Sequence, residues 1–335
     1  MNGNGSAPLL VVEGLKKYYP VRGGVWGRRI GDVRAVDDVS LVVERGKTLG
    51  LVGESGCGKS TLGRTIMRIE DPTAGQVLFD GTDVASASRD ELFQLRREMQ
   101  MVFQDPYSSL NPRMTIGEIV REPLLVHGMG SKAEQVAKVR ELLQTVGLTG
   151  EMLDRYPHEF SGGQRQRIGV ARALALDPKL VIADEPVSAL DVSVQSQVLN
   201  LMVRLQRERG LTYIFISHDL SVVEHVSDSI AIMYLGRIVE RGPANGVFTR
   251  PAHPYTRALL QAVPEPNPRK QRLFTPVEGE APSPVSPPAG CPFHPRCPFM
   301  IEECKAAVPP LEPVGQATGS AASDHLAACI RKNEI

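Results

Sequence analysis

The sequence predicts an α/β protein built around a mainly parallel β-sheet. Short apolar runs alternate with segments of helical periodicity, a pattern that favours parallel strands joined by helices. A long helical block at residues 116–176 interrupts this alternation, and a proline-rich stretch followed by four cysteines comes after it. We therefore expect a sheet core, an inserted helical subdomain at about residues 105–176, and a cysteine-containing C-terminal extension.

Length and composition limit the possible architectures without indicating a partner. The chain has 335 residues, of which 42% are hydrophobic, enough for two domains or one large domain with an appendage. Lysine plus arginine and aspartate plus glutamate both number 38, so the zero net charge gives no general argument for binding nucleic acid or an anionic membrane. No apolar stretch approaches the roughly 18 residues of a membrane-spanning helix, and residues 1–8 lack the pattern of a secretory signal. We expect a cytosolic protein.

The first part of the chain is predicted to contain four strands and one helix. The residues between the first two strands, 22–29, are rich in arginine and glycine, which is typical of an exposed hairpin tip. Apolar runs and alternation predict strands at residues 9–15, 33–43, 48–52 and 76–79, with the helix at residues 62–69.

The second part alternates helices and strands around the helical block. Within that block Val136, Val139, Leu142, Leu143 and Val146 fall on one helical face. A later helix is expected to end at Gly210, a plausible C-cap. We predict helices at residues 89–97 and 193–209, strands at residues 99–103, 180–183 and 212–216, and two short strands within residues 230–239.

A glycine-rich segment between the third strand and its helix predicts a phosphate site. Its glycines allow several backbone N–H groups to converge, and the helix N-terminus adds unpaired N–H groups and a partial positive charge. Lys59 can reach the β- and γ-phosphates, and the Ser60 hydroxyl can hold Mg²⁺. An accidental glycine-rich turn is the alternative. The residues predicted to bind the phosphates are Ser55, Gly56, Cys57, Gly58, Lys59, Ser60 and Thr61.

An acidic pair, Asp184 and Glu185, follows the apolar run at residues 180–183. Ligands of open α/β sheets lie outside the carboxyl ends of the strands. We therefore expect Asp184 to hold Mg²⁺ through water and Glu185 to orient and deprotonate an attacking water. The structural alternative is an exposed acidic turn.

A second helix N-terminus begins at Ser161, with Gly162, Gly163 and Gln164 following it. Ser161 with Gln164 three residues later is also the pattern of a capping box, so simple helix capping is an alternative. Adjacent glycines weaken a first helical turn but permit backbone N–H groups to approach a phosphate closely. Since one phosphate loop already exists, this helix end is expected to serve another chain's nucleotide.

These segments together resemble the motif series of the ABC-type ATPases. The series comprises residues 53–61, Gln104, residues 160–164, Asp184 with Glu185, residues 188–191 and His218. The resemblance implies a P-loop NTPase (RecA-like) core with an antiparallel β subdomain, ATP and Mg²⁺ as ligands, and Asp191 as part of the nucleotide site. Phe160 departs from the family pattern, which usually has leucine there.

The resemblance also implies roles for three further residues. Gln104 resembles the loop glutamine that contacts Mg²⁺ and water and senses the transmembrane partner. His218 resembles the switch histidine that contacts the γ-phosphate. Tyr19 matches the aromatic residue that stacks on adenine, with the adjacent Tyr18 as the alternative.

Three longer segments are similar to the ATP-binding subunits of oligopeptide and dipeptide permeases, especially the second ATPase of the dipeptide importer. They are residues 103–113, 183–193 and 253–259. This similarity implies peptide import driven by a peripheral protein on the cytoplasmic face of the membrane. The implied partners are a paralogous ABC ATPase forming a heterodimer, two transmembrane permease subunits and an extracytoplasmic peptide-binding protein, with no nucleic acid.

Other functions remain as alternatives at this point. A soluble ABC ATPase acting on nucleic acid or ribosomes generally carries two motif sets or a long coiled coil, whereas this chain has one set and no sustained heptads. A regulator without turnover would lack Lys59 or Glu185, and both are present. Importers of nickel or glutathione belong to the same group of relatives, so the substrate stays open.

The cysteine tail predicts a metal site. Cys291, Cys297, Cys304 and Cys329 follow the proline-rich residues 263–290, and residues 291–335 form the expected extension after an ATP-binding domain of residues 1–262. Four soft ligands in a reducing compartment suit a [4Fe–4S] cluster or tetrahedral Zn²⁺, and unliganded thiols are a third possibility. The set is similar to that of the peptide-permease ATPases, which implies the cluster. The fifth cysteine, Cys57, has no expected metal role.

Overall fold

The computed structural model describes residues 7–23, 28–105, 107–263, 279–315 and 324–334. These residues fall into two units. Unit 1 contains Glu44–Lys47 and Ser86–Ile216, together with Ala7. Unit 2 contains Pro8–Val43, Thr48–Ala85 and the described part of Ser217–Ile335. Part of the predicted hairpin tip, residues 24–27, and most of the proline-rich stretch, residues 264–278, lie outside the described residues.

The secondary structure alternates along the chain as the sequence predicts. The strands are β1 (Leu10–Gly23), β2 (Arg28–Val43), β3 (Thr48–Val52), β4 (Ala74–Phe79), β5 (Thr82–Asp83), β6 (Met99–Val102), β7 (Leu180–Asp184), β8 (Thr212–Ser217), β9 (Ser229–Tyr234), β10 (Arg237–Pro243), β11 (Glu312–Pro313) and β12 (Leu326–Ala327). The helices are α1 (Lys59–Ile66), α2 (Arg89–Glu98), α3 (Ile116–Val126), α4 (Lys132–Thr145), α5 (Gly162–Ala173), α6 (Val192–Arg209), α7 (Leu220–Val226), α8 (Ala244–Thr249) and α9 (Pro254–Gln261).

Unit 2 contains two groups of paired strands. The first is an antiparallel sheet with the order β2-β1-β4-β5. In the second, the order is β11-β12-β10-β9-β3, and β3 and β9 run parallel. All five residues of β3 are buried, as expected for a central strand covered on both faces. Strand β12 belongs to the C-terminal extension and pairs with β10. The extension therefore adds strands to the same group as β3, which directly precedes the glycine-rich segment.

Unit 1 combines parallel strands in the order β8-β7-β6 with the helices α2 to α6. Capping boxes start α3 at Thr115 and α4 at Ser131. The apolar face predicted for α4 is confirmed, because Val139, Leu142, Leu143 and Val146 are buried, while Val136 is half-buried at its edge. Gly210 ends α6 in the left-handed conformation, as predicted, with φ 64°.

The differences from prediction lie mainly at the ends of elements. Strand β1 continues to Gly23 and β2 starts at Arg28, so the outer residues of the expected hairpin tip are strand. Helix α1 begins at Lys59, three residues earlier than predicted. The helical block consists of α3, α4 and α5, separated by turns. Among the described helices, none is both long and apolar enough to cross a membrane.

Candidate functional site

The glycine-rich segment connects β3 to α1 in unit 2, as the phosphate-site hypothesis requires. Gly58 is the residue before the helix and has φ 106°, a conformation that favours glycine. A Cβ atom built there would lie 1.9 Å from the carbonyl oxygen of Ala35, so a side chain would force the backbone to move. The Gly236 N–H donates to the carbonyl oxygen of Cys57 at 2.9 Å. These contacts hold the loop tightly against its own unit.

Lys59 places a buried ammonium group inside this loop. Its side chain is 4% exposed, and Nζ donates to the carbonyl oxygens of Gly53 at 2.7 Å and Glu54 at 2.9 Å. Cys57 is also buried, and this burial raises the pKa of its thiol. Cys57 therefore contributes its backbone to the loop and keeps a neutral side chain. Of the other predicted phosphate-binding residues, Ser55 and Gly56 are exposed, and Ser60 and Thr61 are half-buried in the first turn of α1.

Glu54 has partners that the sequence did not predict. Its N–H donates to the hydroxyl of Tyr255 at 2.8 Å, and its carboxylate receives two hydrogen bonds from Arg296 in the cysteine-containing extension. The two members of this ion pair are 242 positions apart, and no local pattern in the sequence pairs them.

The two tyrosines proposed for adenine stacking have different surroundings. The Tyr18 hydroxyl donates to Asp37, which is also bound by Arg237 at 2.6 Å. Burial and the hydrogen bond to Asp37 raise the pKa of Tyr18 to about 12. The Tyr19 hydroxyl donates to Glu70, and Lys17 Nζ lies 4.9 Å from the centre of the Tyr19 ring. Tyr18 thus belongs to an ion-pair network within unit 2, whereas Tyr19 contacts Glu70 and Lys17.

The acidic pair lies in unit 1 at the end of β7, as predicted. Asp184 is 2% exposed, whereas Glu185 is half-buried. Glu185 has φ 45°, an uncommon backbone conformation for a residue with a side chain, and its N–H donates to the carbonyl of Ile216 at 3.0 Å. Gln104 Nε2 donates to Glu185 Oε2 at 2.8 Å. Two residues that are 81 positions apart in sequence are therefore brought into direct contact.

The Ser161 segment is a capping box, which was the structural alternative. The Ser161 N–H donates to Gln164 Oε1 at 3.0 Å, and the Gln164 N–H donates to Ser161 Oγ at 3.4 Å. Gly163 also has a packing role, because a Cβ atom there would lie 2.2 Å from Val194 Cγ1 of α6. At Gly162 an added Cβ would make only ordinary contact with Leu190. The second of the two glycines is therefore explained by packing, and the first is not.

The remaining motif residues lie next to the ends of helices or strands. Phe160 is buried directly before the cap of α5, so the apolar replacement of the usual leucine is accommodated. Asp191 is the exposed N-cap residue of α6, and its side chain makes no capping hydrogen bond. His218 is exposed just after β8, in unit 2.

Four cysteines of the extension line one cavity in unit 2. Cys291, Cys297, Cys304 and Cys329 all contribute to a cavity of about 20 Å³. Three of the thiols accept the backbone N–H of the residue two positions later, an arrangement that also suits a metal-bound thiolate. Burial raises the pKa of the Cys291 thiol to about 11. All five cysteines are free thiols.

The arrangement of the cysteine side chains does not support the predicted metal site. Within the described ranges, no group of three or more histidine, cysteine, aspartate or glutamate side chains could hold a metal ion as they stand. A cavity needs a volume of roughly 10–15 Å³ to hold one buried water molecule. This cavity of about 20 Å³ therefore has room for one atom or molecule about as large as water.

Two known protein families match parts of this chain. The family described as "ABC transporter" matches residues 36–188, and the family described as "Oligopeptide/dipeptide transporter, C-terminal region" matches residues 239–304. The second match includes Cys291, Cys297 and Cys304 but ends before Cys329.

Three curated proteins are similar over most of the chain. The probable peptide ABC transporter ATP-binding protein y4tS of Sinorhizobium fredii is 57% identical over 92% of this chain and 88% of its own length. The oligopeptide transport ATP-binding protein AppF of Bacillus subtilis is 52% identical over 96% of both chains. The dipeptide transport ATP-binding protein DppF of Haemophilus influenzae is 53% identical over 92% of this chain and 94% of its own.

A solved structure of similar fold is the dimeric, post-hydrolysis form of the ATP-binding cassette MJ0796 bound to ADP and phosphate. It is 29% identical, covers 70% of this chain and 98% of its own, and has a TM-score of 0.63.

Proposed function

Because this chain belongs to the ABC transporter family of ATP-binding proteins, we propose that it is the ATP-hydrolysing subunit of an importer for dipeptides or oligopeptides. The observation that carries this proposal is the phosphate loop with its buried Lys59, found in a chain that is 50–57% identical to peptide-transport ATPases over most of its length. The match of residues 239–304 to the peptide-transporter C-terminal region favours peptides over nickel or glutathione. It also disfavours a soluble ATPase acting on nucleic acid or ribosomes.

In the proposed reaction, a water oxygen attacks the γ-phosphorus of ATP in line with the bond to the β–γ bridging oxygen. That bond breaks, ADP and phosphate leave, and the proton from water passes to Glu185. Gln104, which bonds Glu185 in unit 1, holds this carboxylate in place. Lys59 offsets charge on the β- and γ-phosphates, and His218 contacts the γ-phosphate.

The magnesium ligands proposed are Ser60 and Gln104, with Asp184 acting through water. A carboxylate that is 98% buried at a strand end is a suitable donor for a hard cation. Held by these residues, Mg²⁺ would supply positive charge that reduces the repulsion between the phosphates and the attacking water.

The proposed functional unit is a dimer of this chain with a second ATPase. ATP would join two subunits head to tail, with the N-terminus of α5 from one subunit, Ser161–Gln164, facing the nucleotide of the other. The solved MJ0796 cassette of similar fold is dimeric, which supports this arrangement. ATP drives closure because it binds the closed dimer more tightly than the open one, and hydrolysis ends this effect because ADP distinguishes the two states less.

The other proposed partners follow from the importer function. They are a paralogous ATPase as the second half of the dimer, two transmembrane permease subunits and an extracytoplasmic peptide-binding protein. The chain would be peripheral, on the cytoplasmic face of the membrane. Its proposed division is an ATP-binding domain at residues 1–262, a linker at residues 263–290 and the extension at residues 291–335.

Reconstituted transport tests this function. We expect the assembled complex in proteoliposomes to accumulate labelled di- or oligopeptides only with internal ATP and Mg²⁺. A panel containing short peptides, glutathione and a nickel chelate would identify the substrate class. Uptake of nickel chelate or glutathione without peptide uptake would contradict peptide import, and ATP hydrolysis stimulated only by nucleic acid would contradict the importer.

Substitution of Tyr19 tests the adenine contact. Stacking of a base on an aromatic side chain contributes about 1–3 kcal/mol, so Tyr19→Ala should weaken ATP binding by about 5- to 150-fold. Tyr18→Phe is the matched control, because it keeps the ring and removes only the hydrogen bond to Asp37. Titration with a fluorescent ATP analogue measures both variants. Stronger weakening by Tyr18→Ala than by Tyr19→Ala would assign the stacking to Tyr18.

For the extension we propose that Cys291, Cys297, Cys304 and Cys329 hold a thiophilic metal centre, with a [4Fe–4S] cluster as the expected occupant and Zn²⁺ as the alternative. Support comes from the four thiols that line one cavity and from the N–H groups directed at three of them. Thiolate sulfur is the ligand that both occupants prefer.

Removal of one thiol tests this centre. We expect protein purified without oxygen to be brown and to contain iron and sulfide, and Cys297→Ser to lose the colour and most of the iron. Cys57→Ser is the control, since Cys57 lies in the phosphate loop and not in the cavity. Colourless wild-type protein with one equivalent of zinc would replace the cluster by Zn²⁺, and protein without bound metal would leave four free thiols.

A further inference from the structure

Glu54, the second residue of the phosphate loop, is bonded through all three of its polar groups within unit 2. Its N–H donates to Tyr255 Oη at 2.8 Å, and its carbonyl oxygen accepts from Lys59 Nζ at 2.9 Å. Its carboxylate accepts from Arg296 Nη1 at 3.0 Å and from Arg296 Nη2 at 3.2 Å. Two of these partners, Tyr255 and Arg296, come from the C-terminal part of the chain, so Glu54 links that part to the loop that contains Lys59.

The contact between Arg296 and Glu54 is a two-bond pair in a partly enclosed position. The Arg296 side chain is 9% exposed and that of Glu54 is 32% exposed. Paired N–H groups from one guanidinium to one carboxylate fix orientation as well as distance. Screening by water is weaker here than at an open surface, so this pair differs from an ordinary surface salt bridge.

Arg296 is itself anchored in the cysteine segment. It precedes Cys297 and is the last residue of a short 3-10 helix, His294–Arg296. Its N–H donates to the carbonyl oxygen of Phe293 at 3.0 Å. Phe293 is 1% exposed and packs on Tyr234 and Tyr255, with ring centres 5.3 and 5.4 Å away. The guanidinium is thus held by the segment that carries the thiols.

The electrostatic consequence follows from the position of Glu54. A carboxylate within the loop that receives a triphosphate repels the phosphate oxygens unless a cation neutralises it. Arg296 supplies this cation from the extension. The Lys59 ammonium instead donates to the backbone carbonyl oxygens of Gly53 and Glu54.

We propose that Arg296 is a positioning residue for ATP, which neutralises and orients Glu54 so that the phosphate loop accepts a triphosphate, and that the cysteine extension thereby sets the affinity of the chain for ATP. This inference rests on the proposed function of the phosphate loop. Arg296 does not touch the reacting atoms, so its effect appears in ATP binding and not in the chemical step.

Two substitutions separate this role from a purely structural one. We expect Arg296→Gln to raise the KM and the Kd for ATP about tenfold, within the range usual for coupling between sites, while kcat at saturating ATP changes less than about twofold. We expect the double variant Glu54→Gln with Arg296→Gln to restore the Kd to within about twofold of wild type, because both the unpaired carboxylate and its cation are then absent. A residue needed only for folding would leave the double variant at least as impaired as the single one.

Lys305 provides the matched control. It follows Cys304 as Arg296 precedes Cys297, but it pairs with the exposed Glu302 at 2.9 Å. Lys305→Gln should leave ATP affinity unchanged. Measurements use the full chain in its assembled complex, with circular dichroism to check folding of each variant.

The outcomes distinguish this inference from the proposed function. If the wild-type protein fails to bind ATP, the proposed function fails. If wild type binds ATP and Arg296→Gln matches Lys305→Gln, or if the double variant remains as weak as Arg296→Gln, the role of Arg296 is overturned while the ATPase assignment stands.

Discussion

Replacing Glu185 with glutamine should lower the ATP hydrolysis rate by about 10²- to 10⁴-fold while ATP binding is retained. The substitution keeps the size of the side chain and its ability to bond Gln104, which now donates to Glu185 Oε2 at 2.8 Å. It removes the carboxylate that would take a proton from the attacking water. Phosphate release at saturating ATP measures turnover, and titration with a fluorescent ATP analogue measures binding.

The assay must exclude ATP hydrolysis by the partner ATPase, which would mask the loss of activity caused by Glu185→Gln. A second hydrolytic site in the assembled complex would sustain turnover, so the corresponding glutamate of the partner subunit should be replaced as well. Glu208→Gln is the control, because Glu208 is an exposed carboxylate on α6. Turnover above about half of the wild-type rate in the doubly substituted complex would exclude Glu185 as the base.

The position of Glu185 illustrates what the sequence could predict. The apolar run of β7 followed by two acids was sufficient to place the pair at the end of a strand, because parallel strands present their carboxyl ends at one edge of the sheet. The contact with Gln104 depends on how β6 and β7 pair, and the Glu185 N–H donates to Ile216 in the neighbouring strand β8. Pairing register is a tertiary property, and no local pattern near either residue encodes it.

Helix and strand ends were predicted less well than their cores. Strand β1 runs to Gly23 because its second half pairs with β2, although Lys16 and Lys17 weaken the apolar alternation there. Helix α1 starts at Lys59 because Gly58 adopts a left-handed conformation that only the packed loop explains. In both cases a contact that is distant in the sequence overrides the local preference.

The structural roles of Gly163 and Arg296 could not be predicted from their residue types. Two adjacent glycines favoured phosphate contact at both positions, yet Gly163 is already required by its approach to Val194 on α6. No role was predicted for Arg296, because its hydrogen bond to Glu54 joins two residues that are 242 positions apart. The four cysteines of the extension line one cavity, but the metal centre predicted for them stays a prediction, because no group of their side chains among the described residues could hold a metal ion as they stand.

Replacing Lys59 with methionine should weaken ATP binding by at least about thirtyfold, because loss of one partner of a desolvated charge pair typically costs about 2–5 kcal/mol. Methionine has nearly the same length and can occupy the buried position of a side chain that is 4% exposed. It cannot donate to the carbonyl oxygens of Gly53 and Glu54, which now accept from Nζ at 2.7 and 2.9 Å. Leaving buried acceptors unpaired costs about 1–3 kcal/mol, so the unfolding temperature without nucleotide should also fall.

The control for this substitution is a lysine of similar chemistry in an open setting. Lys179 pairs with Glu98 at 2.7 Å, and both side chains are more than 40% exposed. A surface pair contributes about 0–1 kcal/mol, so Lys179→Met should alter neither ATP affinity nor the unfolding temperature appreciably. The rise in unfolding temperature on adding ATP and Mg²⁺ should also be smaller for Lys59→Met than for wild type, since stabilisation by a ligand increases with the ratio of its concentration to its Kd. If ATP stabilises Lys59→Met as strongly as wild type, the triphosphate is held elsewhere and the glycine-rich loop is a structural turn.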